Sequence, residues 1–408
     1  MDDRNLIYDW NERDAPAQPR RIVDLDDETL RDGLQSASVS DPPIEAKLAL
    51  VHLMVSLGIR SADIGLPGAG KPTFESALAI AREIATHHLP INANCAARTV
   101  VADIEPIATV SQMAGIPVEA SLFIGSSPVR RLVEKWEVDH MVRMVEKAVR
   151  FAVDHDLPVM FVTEDTTRAD PAVLRALYLA AIGCGARRIC LADTVGHATP
   201  EGTRSLVRWA RELVRESGED VKIDWHGHND RGLALINALV ALETGVDRAH
   251  GTALGTGERS GNTPMELLLI NLRMLGVIDN DLSRLSEYCE LVSRTYCIPM
   301  AYNHPVVGAD AFRTSTGVHA SAVLKATRIG KGWLADRVYS SVPAAWVGRS
   351  QVIEIGPMSG SSNVIHWLET RGYPARPDAV SAILDAAKQS PRLLSEEEIL
   401  GILQGCPH

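Results

Sequence analysis

What most constrains the fold of this chain is a rhythm. Short runs rich in β-branched residues recur about every 25 to 35 residues, and segments with apolar residues at helical spacing lie between them. The runs are residues 22–26, 62–65, 91–95, 118–124, 159–163, 188–192, 221–225 and 249–254. Stretches such as 44–57 and 139–154 carry the helical pattern. Eight strand–helix alternations within roughly 260 residues predict an α/β chain closed as a (β/α)8 TIM barrel. A doubly wound open sheet needs fewer strands, and no G-x-G-x-x-G follows the first one.

The barrel is expected over residues 21–279, after a polar N-terminal arm at 1–20 that contains Pro16 and Pro19. Residues 280–408 read as a C-terminal, mainly helical accessory region, with helices expected at 282–296, 364–370, 377–388 and 396–403. The net charge of −11, from 41 basic and 52 acidic residues, argues against a nucleic-acid partner. Six dispersed cysteines without a C-x-x-C pair suit a reducing cytosol rather than a disulfide framework. The start, Met1-Asp2-Asp3-Arg4-Asn5, lacks the features of a signal peptide, and the longest apolar stretch, 48–59, is too short to span a bilayer. A cytoplasmic protein without a membrane partner is the expectation.

Barrels of this class keep their active sites at the C-terminal ends of the strands. His226 and His228 stand two residues apart where the seventh strand should end, so both side chains aim the same way. Among 13 histidines a His-x-His arises easily by chance, and alone it is an even bet as a metal site. Asp32, after the first strand, can add a carboxylate oxygen. Two imidazoles and one carboxylate leave coordination positions open, as a catalytic ion requires. Arg31 beside it suits an oxyanion, or else an ion pair across the mouth with Glu258. Glu164 to Arg168, Asp193 to Gly196, and Gly255 to Asn262 follow strands five, six and eight on the same rim.

Thr29-Leu30-Arg31-Asp32-Gly33-x-Gln35, His226-Gly227-His228-Asn229-Asp230 and Gly255-Thr256-Gly257-Glu258-Arg259-Ser260-Gly261-Asn262 resemble, in order and spacing, the signatures of the DRE-TIM metallolyase superfamily. The closest likeness is to its 2-isopropylmalate and homocitrate synthase branch. The resemblance implies a divalent metal (Zn, Mn or Mg) held by Asp32, His226 and His228, with Asn262 as a further or outer ligand. It implies acetyl-CoA and a 2-oxo acid as substrates, joined by a Claisen-type condensation. Arg31 would stabilise the charged oxygen, Thr194 would contact the oxo-acid carboxylate, and Glu164 and Glu258 would lie around the reacting groups. His319, in Gly317-Val318-His319-Ala320, matches a catalytic histidine that one subunit lends its partner, which implies a homodimer. Glu164 and His319 both remain candidates for the base. A lyase of the same superfamily carries a cysteine in the loop matching 255–262, and this chain has none there.

The chain departs from the isopropylmalate synthase pattern after strand four. There Ser121 and Arg130 stand where that pattern has histidines. Both fall on the substrate side, and Arg130 is expected to favour a more anionic oxo acid. The family's catalytic tyrosine has two candidates, Tyr302 and Tyr339. The chain ends at His408, so inhibition by leucine through a long C-terminal domain is not expected.

Overall fold

The computed structural model describes residues 6–11 and 23–405. Of the expected N-terminal arm only residues 6–11 fall within this range, and they are exposed. Ile22, expected to open the first strand, and Cys406 lie outside the described residues.

Eight parallel strands close into a barrel in sequence order: β1 Asp24–Asp27, β2 Ser61–Asp63, β3 Asn92–Arg98, β4 Val118–Gly125, β5 Val159–Glu164, β6 Arg188–Asp193, β7 Lys222–Gly227 and β8 Arg248–Gly251. Closure comes from β8 pairing with β1, which sets Asp24 opposite Arg248 and Asp26 opposite His250. Helices pack around the outside. The helix Val138–Asp154 buries Met141, Val145, Ala148, Val149 and Ala152, spaced three or four residues apart so that one stripe faces the strands. Several helices start on a side-chain cap followed by proline. Ser127, Asp170 and Thr199 accept from backbone N–H groups of the first turn, just before Pro128, Pro171 and Pro200.

The eighth strand is shorter than its sequence predicts. It stops at Gly251, and residues Ala253–Gly255 form a 3-10 turn in which Leu254 takes φ 56°. The Leu254 N–H is fixed there by the buried Glu266 carboxylate at 2.9 Å. Burial therefore marked these residues as a strand when they form the first turn of the active-site loop.

After the barrel, the helix Leu285–Thr295 packs into the barrel's own apolar core through Leu285, Tyr288 and Val292. The Tyr296 hydroxyl donates to the Thr29 carbonyl at 2.8 Å, and the Tyr288 hydroxyl meets the Asp27 carboxylate. A separate apolar cluster, with Val364, Trp367, Ile383 and Ile399, joins the helices Ser361–Thr370, Pro377–Gln389 and Glu396–Gly405. Among the described residues no helix is long and apolar enough to cross a membrane. The five described cysteines are unbonded.

Candidate active site

Inward-facing positions alternate along each strand, and in this barrel many of them are charged. Asp224, His226 and His228 alternate along β7 and its continuation, and all three are buried. At the C-terminal mouth a cavity of about 440 Å³ is lined by Arg31, Asp32, Ser121, Glu164, Thr194 and His228, among others.

Asp32 lies on a 3-10 turn, Asp32–Gln35, that follows β1. Its Oδ2 is 3.6 Å from His226 Nε2 and 3.5 Å from His228 Nε2. Two donors about 2.1 Å from one ion, at tetrahedral or octahedral angles, sit about 3.0–3.4 Å apart. The cluster therefore fits a shared divalent ion with little movement. Two further oxygens support that fit. Asp32 Oδ1 and Asn262 Oδ1 are buried and have no hydrogen-bond partner. Orphaned buried oxygens are costly unless a ligand satisfies them. Asn262 is held for this by its Nδ2, which donates to the Thr256 carbonyl at 3.1 Å, and by a bridge to His228. Gly257, at φ 147°, keeps the space open, because a Cβ there would lie 2.1 Å from Asn262 Nδ2 and 2.9 Å from Asp32 Oδ1.

Glu28, His226 and His250 also approach one another. Here the donors are taken up by one another: His250 Nδ1 lies 2.8 Å and His226 Nδ1 2.9 Å from the Glu28 oxygens. The other nitrogen of His250 bonds Asp224 Oδ2 at 2.9 Å. This second group is a hydrogen-bonded support rather than a ligand cage.

Arg31 does not pair with Glu258, contrary to the expectation of an ion pair across the mouth. Its Nε donates to Asp63 Oδ2 at 2.7 Å, its Nη1 to Asp32 Oδ2 at 3.2 Å, and its Nη2 lies 2.9 Å from Glu28 Oε2. Three nearer carboxylates outcompete Glu258, which is 57% exposed and 3.6 Å from Arg259. Burial works against the Arg31 charge, but Glu28, Asp63 and Asp32 outweigh it and hold the guanidinium protonated. Burial likewise opposes the charge on Asp32, and Arg31 with the two imidazoles reverses that, holding its carboxyl well below the usual range. At Asp63 burial wins over Arg31, and its carboxyl is pushed up to about 7.

On the opposite wall Glu164 ends β5, and its carboxyl is raised by burial against the pull of Arg130. Arg130 Nε lies 3.5 Å from Glu164, and its Nη1 lies 3.0 Å from Glu134. The Arg130 stem crosses Gly125, where a Cβ would come within 2.2 Å of it. Ser121 donates to Asn94 at 3.1 Å, and Thr194 Oγ1 accepts the Asp165 N–H at 2.8 Å. Arg259 ties the rim together by donating to Asp230 at 2.8 Å and to the Thr194 carbonyl at 2.5 Å.

His319 is not among the residues that line this cavity. It lies on the helix Gly317–Arg328, with its ring 4.0 Å from that of Tyr339. Tyr302 is 69% exposed. The structure thus gathers the expected rim residues at one mouth, while His319, which the resemblance assigns to the partner's barrel, stands apart from it. Glu28, Asp63 and His250 were missed as site residues. Their signal was parity: each follows an inward-facing residue by two positions on its strand, after Asp26, Ser61 and Arg248.

A closed parallel barrel with two histidines and one carboxylate converging at its C-terminal mouth defines a TIM-barrel protein built around an open metal-ligand group. A family profile described as HMGL-like matches residues 22–292. The chain belongs to that family and, within the DRE-TIM metallolyase superfamily, to the branch of the 2-isopropylmalate and homocitrate synthases. It is 32% identical over 378 residues to homocitrate synthase AksA of Methanopyrus kandleri, covering 90% of this chain and 89% of that one. It is 30% identical over 373 residues to a 2-isopropylmalate synthase of Nitratidesulfovibrio vulgaris, covering 89% and 69%. Among solved structures the HMG-CoA lyase of Bacillus subtilis shares the fold, with a TM-score of 0.57 and 19% identity over 71% of this chain and 98% of that one.

Proposed function

We propose that this protein is a divalent-metal-dependent acyltransferase that condenses acetyl-CoA with a 2-oxo acid and lets water hydrolyse the resulting thioester, giving a 2-hydroxy dicarboxylic acid and CoA. Its most similar chemistry is that of the 2-isopropylmalate synthases. The observation that carries this reading is the converging Asp32, His226 and His228 with the orphaned Asn262 oxygen beside them. They lie at the barrel mouth of a chain whose relatives are synthases of this kind.

A bound Zn, Mn or Mg ion supplies Lewis acidity toward the ketone of a chelating 2-oxo acid. The chain's own residues do the rest. Arg31, fixed by three carboxylates, presents a permanent positive charge where the ketone oxygen becomes anionic. Thr194 faces the cavity where the oxo-acid carboxylate would bind. Glu164, whose carboxyl is raised by burial, is a candidate base for the acetyl methyl proton. His319, with Tyr339 against it, is assigned to the partner subunit's cavity, which makes the active unit a homodimer. Either Glu164 or that histidine takes the proton. Glu258 approaches the reacting groups from the exposed rim.

The oxo acid's far end meets Ser121 and Arg130. Here a second reading has an observation behind it: Arg130 is a cation on the cavity wall, as a dianionic substrate of the homocitrate type would need. Glu134 and Glu164 already pair with it, so a distal carboxylate has to displace one of them. Thiol release from acetyl-CoA, measured over a panel of 2-oxo acids with and without chelator, tests both readings. Release that needs both metal and oxo acid is expected. Cleavage of a hydroxyacyl-CoA without any such release points instead to a lyase. If 3-methyl-2-oxobutanoate outperforms every dianionic acid, the role of Arg130 in selecting charge is refuted.

A further inference from the structure

We infer that Glu28 is the positioning residue that sets which nitrogen of His226 faces the metal cluster. The inference rests on the metal reading of Asp32, His226 and His228. An imidazole ligates through one nitrogen only when the other holds the proton, and an oxygen on the far side of the ring decides which. Glu28 Oε2 is that oxygen, 2.9 Å from His226 Nδ1, while His226 Nε2 points to Asp32. Glu28 Oε2 makes no hydrogen bond among the described residues, so Glu28 acts here chiefly as a fixed negative charge. His228 lacks such support: its Nδ1 is buried with no hydrogen-bond partner in the described structure.

Glu28 is itself held on its other side. His250 Nδ1 lies 2.8 Å from Oε1, and His250 Nε2 reaches Asp224 at 2.9 Å. With a carboxylate on each nitrogen, His250 is a donor at both and therefore an imidazolium. Glu28 Oε2, the oxygen beside His226, also lies 2.9 Å from Arg31 Nη2. One carboxylate thus orients a metal ligand and the neighbouring cation together, and an imidazolium beneath keeps it in place.

Cobalt(II) binding, followed by the visible absorption of the bound ion and by competition with a chelating dye, tests this in the full-length chain. Glu28→Ala is expected to weaken cobalt affinity about 10- to 100-fold and to alter the band shape. Glu28→Gln keeps the volume but removes the charge, and is expected to lose nearly as much as Glu28→Ala. It also covers the case in which the alanine variant fails to fold. Folding is checked by circular dichroism. If folded Glu28→Ala and Glu28→Gln bind cobalt within twofold of the parent with the parent spectrum, the positioning role is wrong while the metal site stands. If the parent binds no cobalt, the metal reading fails and the inference falls with it.

Discussion

Two buried polar networks fill the barrel interior, one at each end, and they differ in how completely they are satisfied. Away from the mouth, Arg248 donates to Asp224 at 2.6 Å, to Ser61 at 2.8 Å and to Glu119 at 2.6 Å. Arg188 takes the other Asp224 oxygen at 2.6 Å and lies 3.5 Å from the other Glu119 oxygen. Every carboxylate oxygen of Asp224 and Glu119 has a partner. At the mouth, Asp32 Oδ1, Asn262 Oδ1 and His228 Nδ1 have none. Fully paired buried charges hold a structure together, whereas unpaired ones persist when something else is meant to bind them. The same residue types therefore do different work at the two ends.

The strongest break between the networks comes from His226→Ala. Turnover is expected to fall about 10³-fold, the scale of losing a principal transition-state stabiliser, with a folded chain remaining. Steady-state rates beside a thermal melt check this. Arg248→Met should do the reverse. It leaves buried Asp224 and half-buried Glu119 without their main cation, which costs about 3–5 kcal/mol of stability, read from denaturant unfolding. The fraction that stays folded should still bind metal.

A third test uses Glu266, which fixes the start of the active-site loop through Leu254. Burial outweighs its partners, His304 at 3.3 Å among them, and pushes its carboxyl up to about 7. Its ordinary value is 4.5, so between these limits the folded chain holds a proton that the unfolded chain has lost. This contribution to stability is full below pH 4.5 and is lost as pH rises through 7. Glu266→Gln should flatten that slope and stabilise the chain at pH 8 on the order of 2 kcal/mol, measured by unfolding at pH 5 and pH 8. The smallest effect is at the substrate end: Arg130→Ala should shift the kcat/KM ratio of dianionic to monoanionic oxo acids by about tenfold toward the monoanions, or about 1.4 kcal/mol.

Much of this was legible in the sequence. The run 188–192 announces a barrel strand because a strand covered on both faces needs little polar alternation, whereas 221–225 alternates because its inward positions carry charge. The ligand group was legible because His226 and His228 are local, and Asp32 and Asn262 fall at strand ends. Arg31's true partners were only partly so: Glu28 is three residues away in the chain, but Asp63 comes from β2 and meets it only when that strand pairs with β1. His250 reads as one more core histidine until the register of β8 on β1 brings it under Glu28. The turn at 253–255 was hidden for a similar reason, since its conformation is set by Glu266, twelve residues after Leu254.

The division of labour between the two networks is tested most directly by counting metal. Purified wild-type chain and His226→Ala are each dialysed against zinc, washed free of loose ions and analysed for metal per folded chain. About one ion per wild-type chain and almost none in the variant is the result this account predicts. Equal metal in both, or none in the wild type, would contradict it.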